Sequence, residues 1–304
     1  MNHQTLKSKS SYTLSASILA AAFVLAGTWI YINNTNQSSG GGSASDPAAE
    51  QTAALEAKVL PSGGAILPVK WGNLGQQLIE AGVIDRPKFE AVYADRGGLT
   101  DQDQKLLNGA DDDQLTISYQ NSGLLLNLFW ALGLGNKNEI LSQGPMSDPQ
   151  YGGAENFAST GGWSLAKGGV MDHYSQHPFI NLTPEQQELV ARVSKNIYRP
   201  CCNNPTHFPD CNHGLAMLGL LELMASQGVA EPEMYKTALQ VNAYWFPETY
   251  LTIAQYLASS GQAWTTADPQ ELLGKNYSSG SGYRQILTKT APAAPKSGGG
   301  GCSV

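Results

Sequence analysis

The longest apolar run in the chain spans 12–32, where Leu14, Ile18, Leu19, Phe23, Val24, Leu25 and Ile30 recur without a charged residue. As a helix of about 20 residues it would be about 30 Å long, enough to cross the hydrocarbon core of a bilayer. Lys7 and Lys9 precede the run and no basic residue follows closely, so the excess of positive charge places the N-terminus in the cytoplasm. Trp29 and Tyr31 suit the far interface. A cleaved signal peptide is the competing reading, with Ser43-Ala44-Ser45 as a weak cleavage site. Both readings put the bulk of the chain outside the cytoplasm.

Beyond residue 60 the apolar positions recur mainly at the helical period. Asn73 precedes Leu74, Leu78 and Ile79, and Gly82 stops that pattern. A second short helix is expected at 86–94 before Gly97-Gly98, and Thr100 caps a third. The stretch 115–134 is expected to form the most buried helix, since Leu124, Leu125, Leu126, Leu128, Phe129, Trp130 and Leu132 leave little polar face. Gln120, Asn121, Ser122 and Asn127 interrupt it, which favours a core helix over a second membrane span. Residues 143–170 are rich in Gly and Pro and read as loop; Gly161-Gly162 to Gly168-Gly169 lacks the Gly-Lys-Ser/Thr ending of a phosphate loop. Thr183, Pro184 and Gln186 mark a helix start that runs to Tyr198. Leu215, Met217, Leu218, Leu220, Leu221 and Met224 give the next helix a broad apolar face, ended near Gly228. Further helices are expected at 232–246, before Pro247, and at 249–257 and 269–273.

No convincing strand pattern emerges, so the expected fold class is all-α, a single helical domain with long Gly/Pro-rich loops. The expected organisation is a cytoplasmic N-terminus at 1–11, a transmembrane anchor (or signal peptide) at 12–32, a flexible linker at 33–60, a helical extracytoplasmic domain at 61–288, and a flexible Ala/Pro/Gly tail at 289–304 that carries Cys302. Residues 48–58 of the linker have a composition that permits a short helix.

Composition narrows the function classes. Charged residues are only 14%, and the formal net charge is −7. No basic stripe is present to neutralise phosphates, which argues against nucleic acid as a partner. Asp111-Asp112-Asp113 reads as a solvated turn or helix start, with cation binding a weaker use. Gly-x-Ser-x-Gly and His-Glu-x-x-His are absent, and nothing in the spacing selects Glu222 or Glu248 as a base. The run Tyr244-Trp245-Phe246-Pro247 reads as packing, with stacking on a ligand a weaker use.

Chemistry concentrates at 199–214. Three of the four cysteines lie there, Cys201, Cys202 and Cys211, in a Cys-Cys-x8-Cys-x-His arrangement with His207 inside the interval and His213 at its end. Pro200, Pro205 and Pro209 stiffen the segment. Thiolate and imidazole suit a soft metal, best copper(I) or zinc(II), with ferrous iron a poorer fit. A helix starting near His213 would set positive potential at Cys211 and favour its thiolate. His173 and His177 are four residues apart, and a site shared with the cysteine loop is the sharpest form of the metal reading. No cofactor is required if the cysteines are oxidised: Cys201 or Cys202 with Cys211 would close a loop of about ten residues, stabilising the fold by a few kcal/mol. The expected function is therefore a membrane-anchored extracytoplasmic protein that binds a thiophilic metal. One alternative is a disulfide-stapled, non-catalytic interaction or scaffold domain of the envelope; another is a thiol–disulfide redox protein using Cys302.

Overall fold

The computed structural model describes residues 47–109 and 111–290. The apolar run at 12–32, the Gly/Ser part of the linker and Cys302 lie outside the described residues. Among those described, no helix is long and apolar enough to cross a membrane. The described residues from Gln51 onward belong to one unit.

The described residues are mostly helical, at 60%. Helix α1 (Pro47–Val59) covers the Ala/Glu-rich stretch. Its last residue, Val59, is buried, and the carbonyls of Val59 and Pro61 accept bonds from Gln240 Nε2 at 3.0 Å and Tyr244 Oη at 2.7 Å. Strand β1 (Ala65–Gly72) follows, then α2 (Leu74–Glu80), α3 (Arg86–Ala94) and α4 (Asp101–Asn108). Strand β2 (Asp111–Ile117) returns antiparallel to β1.

This sheet corrects the sequence reading, which saw no strand, took Asp111-Asp112-Asp113 as a turn or helix start, and ran one helix from Leu115 to Leu134. Acidic residues are poor strand formers and proline removes a ladder donor, so both strands are disguised. Pro68 lies within the irregular register between Ile66 and Lys70. The period of two is nevertheless present: Leu67, Val69 and Trp71 are buried, while Ile66 and Lys70 face out. Gln227 pairs with Lys70 as a strand would, accepting from its N–H at 2.9 Å and donating to its C=O at 2.8 Å. At the strand end Asn121 accepts from Ser118 N–H at 2.8 Å and donates to Thr116 C=O at 2.7 Å, turning the chain into helix α5 (Ser122–Gly135).

The remaining long helices are α6 (Pro184–Ser194), α7 (Asn212–Ser226), α8 (Glu231–Trp245), α9 (Pro247–Ser259) and α10 (Gly280–Leu287). Both capping boxes form as their sequences indicate, Thr100 with Asp103 and Thr183 with Gln186. Helices α5 and α7 are buried almost all round and pack on each other at the centre. Their backbones touch: a Cβ on Gly133 would lie 2.1 Å from Leu215 O, and one on Gly219 would lie 2.4 Å from Phe129 O. The crossing therefore admits glycine alone on either side.

Where α5 ends, Asn136 and Asn138 reach to α7 and hold Glu222, which is fully buried. Their amides donate to its two carboxyl oxygens at 2.9 and 2.6 Å. Burial raises the Glu222 pKa well above the ordinary carboxylic range, against the opposing pull of the two amides.

Two predictions arise here. Gly219→Ala, which on an exposed helix would stabilise, is expected to cost about 1–3 kcal/mol or more in urea unfolding, because the α5 and α7 backbones must separate. Glu222 holds its proton in the native state and loses it on unfolding once pH exceeds about 4.3. Its favourable contribution is complete below that pH and is lost as pH rises toward the raised native value. Unfolding free energy should thus decline with pH over this window, and Glu222→Gln should flatten the slope whatever its effect on absolute stability.

Candidate metal centre

The cysteine loop is a short hairpin set on the end of α6. Thr206 N–H donates to Ile197 C=O at 2.8 Å, and Tyr198 and Pro205 form an antiparallel bridge. The tip between them carries Cys201 and Cys202. Helix α10 pins that tip from outside: Gly280 N–H donates to Cys202 C=O at 2.7 Å, and Ser281 N–H donates to Asn203 Oδ1 at 2.8 Å. A Cβ at Gly280 would sit 3.2 Å from Pro200 O, so a small residue helps that approach. The returning limb ends at Cys211, the N-cap residue of α7, and Leu215 N–H donates to Cys211 C=O at 3.0 Å.

The hairpin brings the three sulfurs together. Cys211 Sγ is 3.4 Å from Cys201 Sγ and 3.8 Å from Cys202 Sγ, and the three atoms lie within 4.8 Å of one another. All three are free thiols, with Cys201 exposed and the other two half-buried. Thiolates bound at about 2.3 Å in tetrahedral geometry stand about 3.8 Å apart, so the spacing matches one shared ion without a large rearrangement.

Beneath the sulfurs lies Arg199, completely buried. One of its terminal nitrogens donates to Cys211 Sγ at 3.3 Å and to Asp210 Oδ1 at 3.2 Å. Asn204 Nδ2 donates to the other Asp210 oxygen at 2.7 Å. The guanidinium lies on Gly214 in the first turn of α7, where a Cβ would come within 2.4 Å of it. A buried cation is costly unless anions face it, and here Asp210 and the sulfur cluster supply them.

These contacts divide the thiols electrically. The Cys211 pKa falls well below that of an ordinary thiol: it accepts hydrogen bonds from Cys201 and Cys202, and the charges of Arg199 and His213 reinforce the fall against the effect of burial. The start of α7 adds the positive end of a helix dipole. Cys201 is raised by its hydrogen bonds to Cys202 and Cys211 and by burial. At Cys202 the bond with Cys201 pulls downward, but donation to Cys211 together with burial outweighs it, and the thiol ends at about 11. Of the three sulfurs, Cys211 is the one these contacts favour as a thiolate.

The histidines do not join this group. Among the described residues the only metal-capable set of three is Cys201, Cys202 and Cys211. His207 turns back toward α6, its N–H bonding Ser194 C=O at 3.0 Å and its Nδ1 meeting Ser194 Oγ at 3.1 Å. His213 is fully buried against Phe246 and Trp245, and acts on Cys211 through its charge. His173 and His177 face each other, with Nδ1 and Nε2 3.1 Å apart, and His173 Nε2 also contacts Lys167 C=O at 2.8 Å. Their segment is a turn containing Ser175 at φ 56°, not a regular helix, so the pair meets through turn geometry. The structure thus brings the three cysteines together and leaves His173, His177, His207 and His213 with other partners. Arg199 and Asp210 flank the sulfurs electrostatically and are not among the candidate site residues read from the sequence; Asp210 or Asn212 is the cap expected for the following helix, whose N-cap is Cys211. The one hint is a charged residue set between Ile197 and adjacent cysteines, with a glycine available at 214.

In metal-free protein carrying Cys302→Ser, ultraviolet titration of thiolate absorbance should show one thiolate per chain persisting well below the pH at which an ordinary thiol protonates. Cys211→Ser should abolish that signal, and Cys201→Ala, which removes a donor to Cys211, should move it to higher pH. No family model matches the chain, and comparison with curated proteins and with solved structures likewise finds no match.

Proposed function

We propose that this protein binds a single thiophilic transition-metal ion, copper(I) or zinc(II), through Cys201, Cys202 and Cys211. The proposal extends to its setting: an extracytoplasmic domain tethered to the membrane by the apolar run at 12–32. One observation carries the metal reading, the convergence of three free sulfurs within 4.8 Å around a cysteine already disposed to be a thiolate. Soft thiolate donors select copper(I) and zinc(II), and ferrous iron fits less well. With no imidazole in the set, copper(I) is satisfied by three sulfurs, whereas zinc(II) would recruit a fourth ligand such as water. The cation beneath the cluster offsets the charge that three thiolates would accumulate.

A second reading, a domain stapled by a Cys201–Cys211 disulfide, is favoured by the same 3.4 Å approach, since bond formation requires the sulfurs to close to about 2.05 Å. The two readings differ in metal content.

Full-length protein purified without chelator is expected to hold one ion per chain, and Cys211→Ser to hold less than about a tenth of that. Because Cys201 and Cys202 must give up protons to ligate, binding should release about two protons and strengthen as pH rises through the neutral range. Isothermal titration in buffers of different ionisation enthalpy reads this directly. Unchanged metal content in Cys211→Ser, or no ion bound by the reduced protein, would sink the metal reading.

A further inference from the structure

We propose that, in its metal-free form, the cysteine cluster reduces hydroperoxides, with Cys211 as the attacking sulfur and Cys201 as the resolving one. This activity does not depend on the metal reading; it needs only reduced sulfurs in the positions observed.

Three independent features of the fold converge on Cys211. It is the N-cap residue of a fifteen-residue helix, so the positive end of the helix dipole lies beside it. The Arg199 guanidinium donates to its sulfur at 3.3 Å and is buried, so its field is little screened. Two thiols approach the same sulfur, at 3.4 and 3.8 Å. A thiol that must be oxidised and then resolved needs a second sulfur within reach, and Cys201 supplies it.

Position also limits the substrate. Cys211 is half-buried between Cys201, Cys202 and the guanidinium, while Cys201 is exposed. Attack on a disulfide requires in-line approach along its S–S bond, which a folded partner cannot present to a recessed sulfur. A hydroperoxide needs to bring only its terminal oxygen to the sulfur. The Cys211 thiolate attacks the terminal oxygen of ROOH and the O–O bond breaks. The leaving RO⁻ takes a proton from solvent to give ROH, and the sulfur becomes a sulfenic acid. The nearby guanidinium stabilises charge on the departing oxygen. Cys201 Sγ then attacks the Cys211 sulfur, forming the disulfide, and the sulfenic hydroxyl leaves with the Cys201 proton as water. The sum is Cys211-S⁻ + Cys201-SH + ROOH + H⁺ giving Cys211-S–S-Cys201 + ROH + H₂O. One turnover uses one hydroperoxide and needs no further reagent. Repeated turnover needs a dithiol reductant, and Cys201, the exposed sulfur of the bond, is where it would attack. Cys202 donates to Cys211 and stays reduced.

The test uses full-length Cys302→Ser protein, reduced and stripped of metal, mixed with hydrogen peroxide. Titratable thiols should fall from three to one per chain, and peptide mass mapping should find the 201–211 disulfide. The reaction should run at least about tenfold faster than in the same protein unfolded in urea, where the thiols are ordinary. With Cys201→Ser and Cys202→Ser combined, the serine hydroxyls keep two donors on Cys211, and oxidation should stop at a sulfenic acid trapped by dimedone. Oxidation no faster than in the unfolded chain, or a disulfide that omits Cys211, overturns the proposal. Both measurements on the otherwise native sequence stand even if a variant fails to fold. Failure of metal binding would leave them unaffected.

Discussion

The contact of α5 with α7 at Gly133 and Gly219 is the constraint on which the remaining geometry rests. Two apolar helices with ordinary side chains at the crossing would stand about 8–10 Å apart. Here each glycine receives a carbonyl of the opposite helix where its own side chain would be. Close approach fixes both the height of α7 along α5 and its rotation. One consequence appears at the end of α5, where Asn136 and Asn138 find Glu222 on α7. Another lies at the start of α7, which receives the returning limb of the cysteine hairpin and sets Cys211 at the N-cap.

The hairpin is held by polar contacts rather than by a core of its own. Its limbs pair between Tyr198 and Pro205, and its tip is fastened to the first turn of α10. Arg199 is the centre of this arrangement. It cannot be exposed, because Gly214 lets it lie directly on the first turn of α7, and it cannot be buried alone. Asp210 and the Cys211 sulfur face it at 3.2 and 3.3 Å. The cation that demands anionic neighbours also reinforces the pull of the Cys201 and Cys202 hydrogen bonds toward a thiolate at Cys211. Stability of the loop and reactivity of the thiol have the same electrostatic source.

The same features would serve both the proposed metal ligation and the proposed thiol oxidation, because both begin from sulfurs held close together. They diverge in what meets the cluster first. An ion shared by three sulfurs would take Cys211 as a ligand and hide it from oxidants; a disulfide to Cys201 would remove two donors at once. Under these proposals occupancy by one would exclude the other, and the metal state and the redox state would be linked through the same atoms.

Much of the helical framework was legible before any coordinates, since capping boxes and apolar periodicity are local: Thr100 and Thr183 open helices because their side chains bond amides three residues on. The clustering of cysteines at a stiff loop and the helix start behind Cys211 were legible for the same reason. The strand pair was not, because Pro68 and the aspartates of β2 are unfavourable locally and tolerated only through pairing between segments far apart in sequence, from Gly72 with Asp111 to Ala65 with Ile117. Nor was the membership of the side-chain cluster. Sequence spacing alone made His207 and His213 as eligible as the cysteines, and hydrogen bonding across the hairpin and burial against Phe246 turned them elsewhere. What the chain determined by itself is its helices, their caps and the chemistry gathered in one loop. What only the tertiary structure decided is which of those side chains meet, and that a buried guanidinium would charge one sulfur among three, because distances across space, unlike periods along a helix, are not written in neighbouring residues.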